Sequence, residues 1–106
     1  MPAVVLLLST FPNANSARAA VHTLVEERLA ACGNIAAGCE SIYRWQGSIE
    51  TSHEVLVIFK TTGERSAAAI ERIAKLHPYE VPEILQIPAA GGWPAYLNWV
   101  EECVTG

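Results

Sequence analysis

Around two prolines, the run His77-Pro78-Tyr79-Glu80-Val81-Pro82-Glu83 gathers an imidazole, a phenol and two carboxylates. Proline fixes its own φ and biases the residue before it toward extended backbone, so His77 and Val81 are held with little conformational entropy left to lose. Such rigidity suits a binding site and equally suits a plain connection between a helix and a strand. For a borderline cation, His77 with Glu80 or Glu83 offers nitrogen and oxygen donors, too few without a second subunit.

Other groups capable of chemistry are sparse. Cys32, Cys39 and Cys103 are an odd number with no CxxC spacing, which fits reduced thiols in the cytoplasm better than a disulfide framework or a structural zinc site. Cys32 suits a small buried hydrophobe and, as the alternative, a ligating thiol. Tyr43 and Trp45 alternate onto one face of an extended segment, where inter-subunit packing is favoured over base stacking because Arg44 is the only basic residue nearby. Lys60 beside Thr61, at the start of a helix, offers either an anion contact or a snorkelling side chain. No serine lies in a G-x-S-x-G turn, and Gly91-Gly92 precedes a helix that lacks a P-loop lysine. The residues carry no enzyme signature.

Composition narrows the class further. The 106 residues suffice for one domain, 1–106, and a 51% hydrophobic content with mean hydropathy +0.23 can build a core. Charged residues are only 17%, too few to cover a small domain, so self-association is expected. The net charge is −4 and the 7 basic residues are scattered, which disfavours nucleic acid and anionic membranes as partners. All 11 acidic residues are Glu, so no Asp-based calcium loop or Walker-B magnesium site can be assembled. The apolar run Ala3 to Leu8 is too short for a signal peptide or a membrane span.

The elements that must position these groups alternate along the chain. Val4 to Thr10 reads as a buried central strand ended by Phe11-Pro12-Asn13. Ser16 caps a helix with the stripe Ala17, Ala20, Val21, Leu24, Val25 and Leu29, and Gly33-Asn34 ends it. Two extended segments between Asn34 and Lys60 form a long hairpin around Gly47-Ser48, its return strand running from Glu54 to Lys60. Thr61 with Glu64 matches a capping box for a helix with Ala67, Ile70, Ile73 and Ala74 inward, which Pro78 terminates. Ile84 to Pro88 is a short strand, and a third helix opens at Trp93-Pro94 with the stripe Tyr96, Leu97, Val100 and Val104.

The order strand, helix, strand, strand, helix, strand, helix predicts an α/β chain of the α+β kind. It is a ferredoxin-like βαββαβ sandwich, with an antiparallel sheet, both crossover helices on one face and an added C-terminal helix. The opposite face is apolar, and other subunits are expected to cover it.

Five segments in order, Ala31-Cys32-Gly33-Asn34-Ile35, Ser41 to Glu50 (SIYRWQGSIE), Phe59-Lys60-Thr61, His77 to Glu83 (HPYEVPE) and Tyr96-Leu97-Asn98-Trp99, resemble the divalent-cation tolerance family, CutA. The resemblance spans essentially the whole chain. It implies a homotrimer in which sheet edges pair between subunits, PII-like architecture, and a role in tolerance of copper and other divalent metals, with no known reaction and no required cofactor. His77 and Cys32 match family positions and, with Glu80 from the local segment, make the expected metal set, for Cu²⁺ or another divalent cation held weakly. Ser9 stands where some members place a Cys, so the soft ligand that favours Cu(I) is lacking. Inter-subunit clefts lined by Tyr43, Trp45, Lys60, Thr61, Tyr79 and Glu83 are expected to receive the ligand. The alternative is a PII-like signalling module that senses a small ligand or a protein partner.

Overall fold

The computed structural model of the protein describes residues 3–106. Its elements are β1 (Val4–Phe11), α1 (Ala14–Glu26), β2 (Cys32–Trp45), β3 (Ser48–Thr62), α2 (Gly63–Leu76), β4 (Ile84–Pro88) and α3 (Pro94–Val104). The four strands form one sheet in the order β2-β3-β1-β4, every neighbouring pair antiparallel. This is the ferredoxin-like arrangement expected from the element order.

Alternation along the strands sorts the core. Val5, Leu7 and Phe11 of β1 and Val55, Val57 and Phe59 of β3 are buried against Ala17, Ala20 and Leu24 of α1 and Ala69 and Ile73 of α2. On the opposite face α3 covers only one end, where Leu97, Val100 and Val104 bury Val4 and Ala31. The rest of that face stays open: Leu6, Leu8, Leu56 and Ile58 are half-buried, and Leu85 and Ile87 are exposed.

Local departures from the expected boundaries have specific causes. Asn13, not Ser16, caps α1, its Oδ1 accepting from the Ser16 N–H at 2.8 Å. That helix stops at Glu26, and the chain turns through Arg28 at φ 59° rather than at Gly33-Asn34, which already lie in β2. Thr61 does not cap α2 either; it is fully buried, and its hydroxyl donates to the Leu29 carbonyl at 2.7 Å, so Thr62 takes the cap position without a side-chain bond. The inward stripe of α2 is Ser66, Ala69 and Ile73, while Ala67 and Ala74 face solvent. At the hairpin tip the turn residues are Gln46 at φ 48° and Gly47 at φ 85°, one position earlier than Gly47-Ser48. Positive φ at both central residues is the type I′ geometry, whose twist matches that of the flanking strands. Further down the hairpin, Gly38 at φ 82° sits in a bulge between Ala36 and Cys39.

Among the described residues no helix is long and apolar enough to cross a membrane. Among the described residues one fully buried side-chain atom lacks a partner: the Ser9 hydroxyl makes no hydrogen bond. An unsatisfied buried hydroxyl costs about 1–3 kcal/mol. Ser9→Ala is therefore expected to raise the unfolding free energy by about 1 kcal/mol, read as a higher guanidinium midpoint at unchanged slope. A lower midpoint would mean that the hydroxyl has a partner.

Candidate functional site

The His-Pro-Tyr segment is organised by its imidazole. Pro78 forces His77 into extended backbone (ψ 135°), which ends α2 and turns the ring back under the sheet. There Nε2–H donates to the Thr10 carbonyl at 2.8 Å, and Nδ1 accepts from the Tyr79 N–H at 3.1 Å. The ring stacks on Phe11, centroids 4.3 Å apart, and meets Tyr79 at 4.9 Å. A carbonyl can only accept and an amide N–H can only donate, so this tautomer leaves no nitrogen lone pair for a metal. In this geometry His77 is a buried clamp, bonded through both ring nitrogens.

Held this way, Tyr79 donates its phenol to Glu54 Oε2 at 2.7 Å. Glu54 is only 8% exposed although it is a carboxylate, and its other oxygen has no hydrogen-bond partner among the described residues. Burial, followed by the bond to Glu54 and the charge of that carboxylate, pushes the Tyr79 phenol up to about 12. Around this pair lies a cleft of about 720 Å³, whose lining includes Thr10, Tyr43, Trp45, Glu54, Tyr79, Glu80 and Glu83. Tyr43 is steadied by Ser52, hydroxyl to hydroxyl at 2.8 Å. Neither Glu80 nor Glu83 makes a side-chain hydrogen bond or salt bridge among the described residues, and no basic side chain lines the cleft.

The structure thus brings together Tyr43, Trp45, Tyr79, Glu80 and Glu83, and leaves the remaining expected residues elsewhere. At ~3.3 Å per residue, Lys60 lies roughly 20 Å along β3 from Glu54, where its ammonium contacts the Asn34 side-chain oxygen. Thr61 faces the helices. Cys32 pairs with Lys60 in register at that same distant end, and its sulfur lies 3.8 Å from the Tyr96 hydroxyl. His77, Cys32 and Glu80 therefore do not converge in one chain, and the described residues contain no group of three or more His, Cys, Asp or Glu able to hold a metal. Glu54 was hidden in sequence at the head of an apolar strand. The signal that could have found it is parity, because register puts Glu54 opposite Cys39 on the face that also carries Tyr43 and Trp45.

A family model described as the CutA1 divalent ion tolerance protein matches residues 5–103. The divalent-cation tolerance protein CutA of Thermus thermophilus is 48% identical over 97 residues, covering 92% of this chain and 94% of that protein. Protein CutA of Mus musculus is 42% identical over 93 residues, and there the match covers 88% of this chain and 52% of the mouse protein. The crystal structure of CutA from Xylella fastidiosa superposes with a TM-score of 0.95 at 42% identity, covering 96% of this chain and 98% of that one.

The raised phenol carries a pH signature. Between pH 10, the ordinary tyrosine value, and about 12 the folded chain keeps a proton that the unfolded chain releases. Stability contributed by Tyr79 is therefore complete below pH 10 and lost as pH climbs through 12. Ultraviolet titration of phenolate formation should show one late tyrosine missing in Tyr79→Phe and moved to lower pH in Glu54→Gln. Loss of an ordinary step near pH 10 in Tyr79→Phe, with no change in Glu54→Gln, would contradict the pairing.

Proposed function

The chain belongs to the CutA1 divalent ion tolerance family, and from that premise we propose that it works as a homotrimeric binding protein whose acidic cleft receives cationic ligands between subunits. The observation that carries this reading is the Tyr79–Glu54 pair at the floor of a cleft whose charged lining is entirely carboxylate. Divalent cations, Cu²⁺ among them, meet oxygen donors from Glu54, Glu80 and Glu83 there, weakly and with the neighbouring subunit completing the set. Tolerance then rests on binding rather than on turnover. In support, both ring nitrogens of His77 are engaged, so this imidazole is not free to act as a base toward a hydroxyl or thiol.

The trimer accounts for surfaces that a lone chain leaves wet. Ile42 and Ile49 on one face of the hairpin are 66% and 68% exposed, Leu85 and Ile87 open the sheet face, and Trp93 is 76% exposed. Such a set exceeds what scattered surface hydrophobics explain. Three cysteines free of disulfides suit a reducing compartment, and the cytoplasm is the proposed location. A second reading, a PII-like module that responds to a small molecule, is favoured by the size of the cleft, which falls within the ~300–1,000 Å³ range of small-molecule sites.

Sedimentation at micromolar concentration is expected to give the mass of three chains; a particle of one chain's 11.4 kDa would overturn the trimer. Calorimetric titration of Cu²⁺ should give a weak isotherm that persists in His77→Ala and fades in Glu80→Gln. His77→Ala should instead lower stability, by roughly 2–4 kcal/mol for two lost hydrogen bonds and a lost stacked ring. Loss of copper binding in a folded His77→Ala protein would restore the imidazole as a ligand and refute the clamp.

A further inference from the structure

We infer that the cleft selects a weakly hydrated organic cation, of the ammonium or guanidinium class, that lies against the faces of Tyr43, Trp45 and Tyr79 with its charge toward Glu54. This rests on the cleft reading given above and names its ligand class. Two independent features of the lining support it. The first is aromatic: Tyr43 and Trp45 sit at alternate positions on one strand face, 41% and 48% exposed, and Tyr79 lines the same cleft. Aromatic faces offer nothing to the coordination sphere of a divalent metal ion, whereas their negative quadrupole attracts a cation that sheds water easily.

The second feature is the carboxylate set. Glu54 is more than nine-tenths buried, has one oxygen committed to Tyr79, and has no protein partner for the other. Its second oxygen is accessible from the cleft rather than sealed in the core, so a cation entering there can meet it directly. The Tyr79 hydroxyl holds the carboxylate in place, so its free oxygen is preorganised. Glu80 and Glu83 at the rim, both exposed and unpaired, add long-range attraction without narrowing the entrance. A metal would have to draw further donors from a neighbouring subunit, because the described residues of one chain contain no group of three or more His, Cys, Asp or Glu able to hold it. An organic cation needs only one buried counter-charge and flat walls.

The test uses the intact protein with choline, tetramethylammonium and guanidinium chlorides, each set against sodium chloride at equal ionic strength. The uncharged carbon isostere of choline serves as the shape control. Calorimetry and the intrinsic fluorescence of Trp45 report binding, with Trp45→Leu identifying the responding indole. Choline is expected to bind at least about tenfold more tightly than its isostere. Trp45→Leu should weaken it by about tenfold, and the paired substitution Glu80→Gln with Glu83→Gln should weaken it severalfold. The paired variant changes only exposed side chains, so it keeps the test valid if Trp45→Leu disturbs assembly, which sedimentation of the same samples detects. Equal affinity for choline and its isostere overturns the proposal. Copper binding that fades in Glu80→Gln, with no response to any organic cation, overturns the ligand class and leaves the acidic cleft standing. Absence of both responses overturns the two together.

Discussion

The site depends on one imidazole that is bonded on both sides. With Thr10 holding Nε2 and the Tyr79 amide held by Nδ1, His77 ties the exit of α2 to the last turn of β1, and Phe11 supplies the surface on which the ring lies flat. Everything that follows in the chain inherits that position. Tyr79 is delivered to within 2.7 Å of Glu54, and Pro82 then starts the approach to β4, which pairs with β1 from Val5 to Ser9. A buried polar group satisfied at both ends specifies a single arrangement, because any displacement leaves a donor or acceptor unmatched in an apolar setting. Rigidity at this corner thus arises from local hydrogen bonding rather than from the hydrophobic core alone.

Much of the architecture was legible in the sequence because it depends on periodicity and punctuation. Three-and-four spacing marked all three helices, and Pro78 fixed the end of α2 through a steric rule that tertiary context rarely overrides. Phase was harder to read. In α2 the small residues Ala67, Ala68 and Ala69 carry almost no contrast, so Ile73 is buried as expected but Ser66 and Ala69 turn inward in place of Ala67 and Ala74. Caps failed for a related reason. Thr61 has the chemistry of a cap but is placed by its strand, where the register with Val5 turns its side chain inward to the Leu29 carbonyl.

The site divided along the same line. Tyr43 and Trp45 line one cleft together because a strand alternates with period two, and the prolines confine Tyr79, Glu80 and Glu83 to one short connection beside it. Lys60 and Thr61 lie away from this cleft within one chain, because adjacency to a helix start says nothing about which end of a long strand faces it. The same sheet separates Cys32 from His77, residues that are neighbours only in motif lists. Conversely, the Glu54 carboxylate drew no attention, since the strand it opens continues as Val55-Leu56-Val57-Ile58-Phe59 and reads as core throughout. Composition could announce a greasy exterior; only registration of strands could say where it opens into a cavity.

The outer half of the β2–β3 hairpin is paired to nothing but itself, since β1 reaches β3 only from Val55 onward. Tyr43 and Trp45 ride on that unsupported arm, so one wall of the cleft has far less backing than the floor at Tyr79 and Glu54. Any contact that steadies the arm raises the fraction of chains competent to bind and so lowers the apparent dissociation constant. Were copies of the chain to supply that contact, occupancy and assembly would be linked equilibria, each weakened by dilution and each favoured by the other.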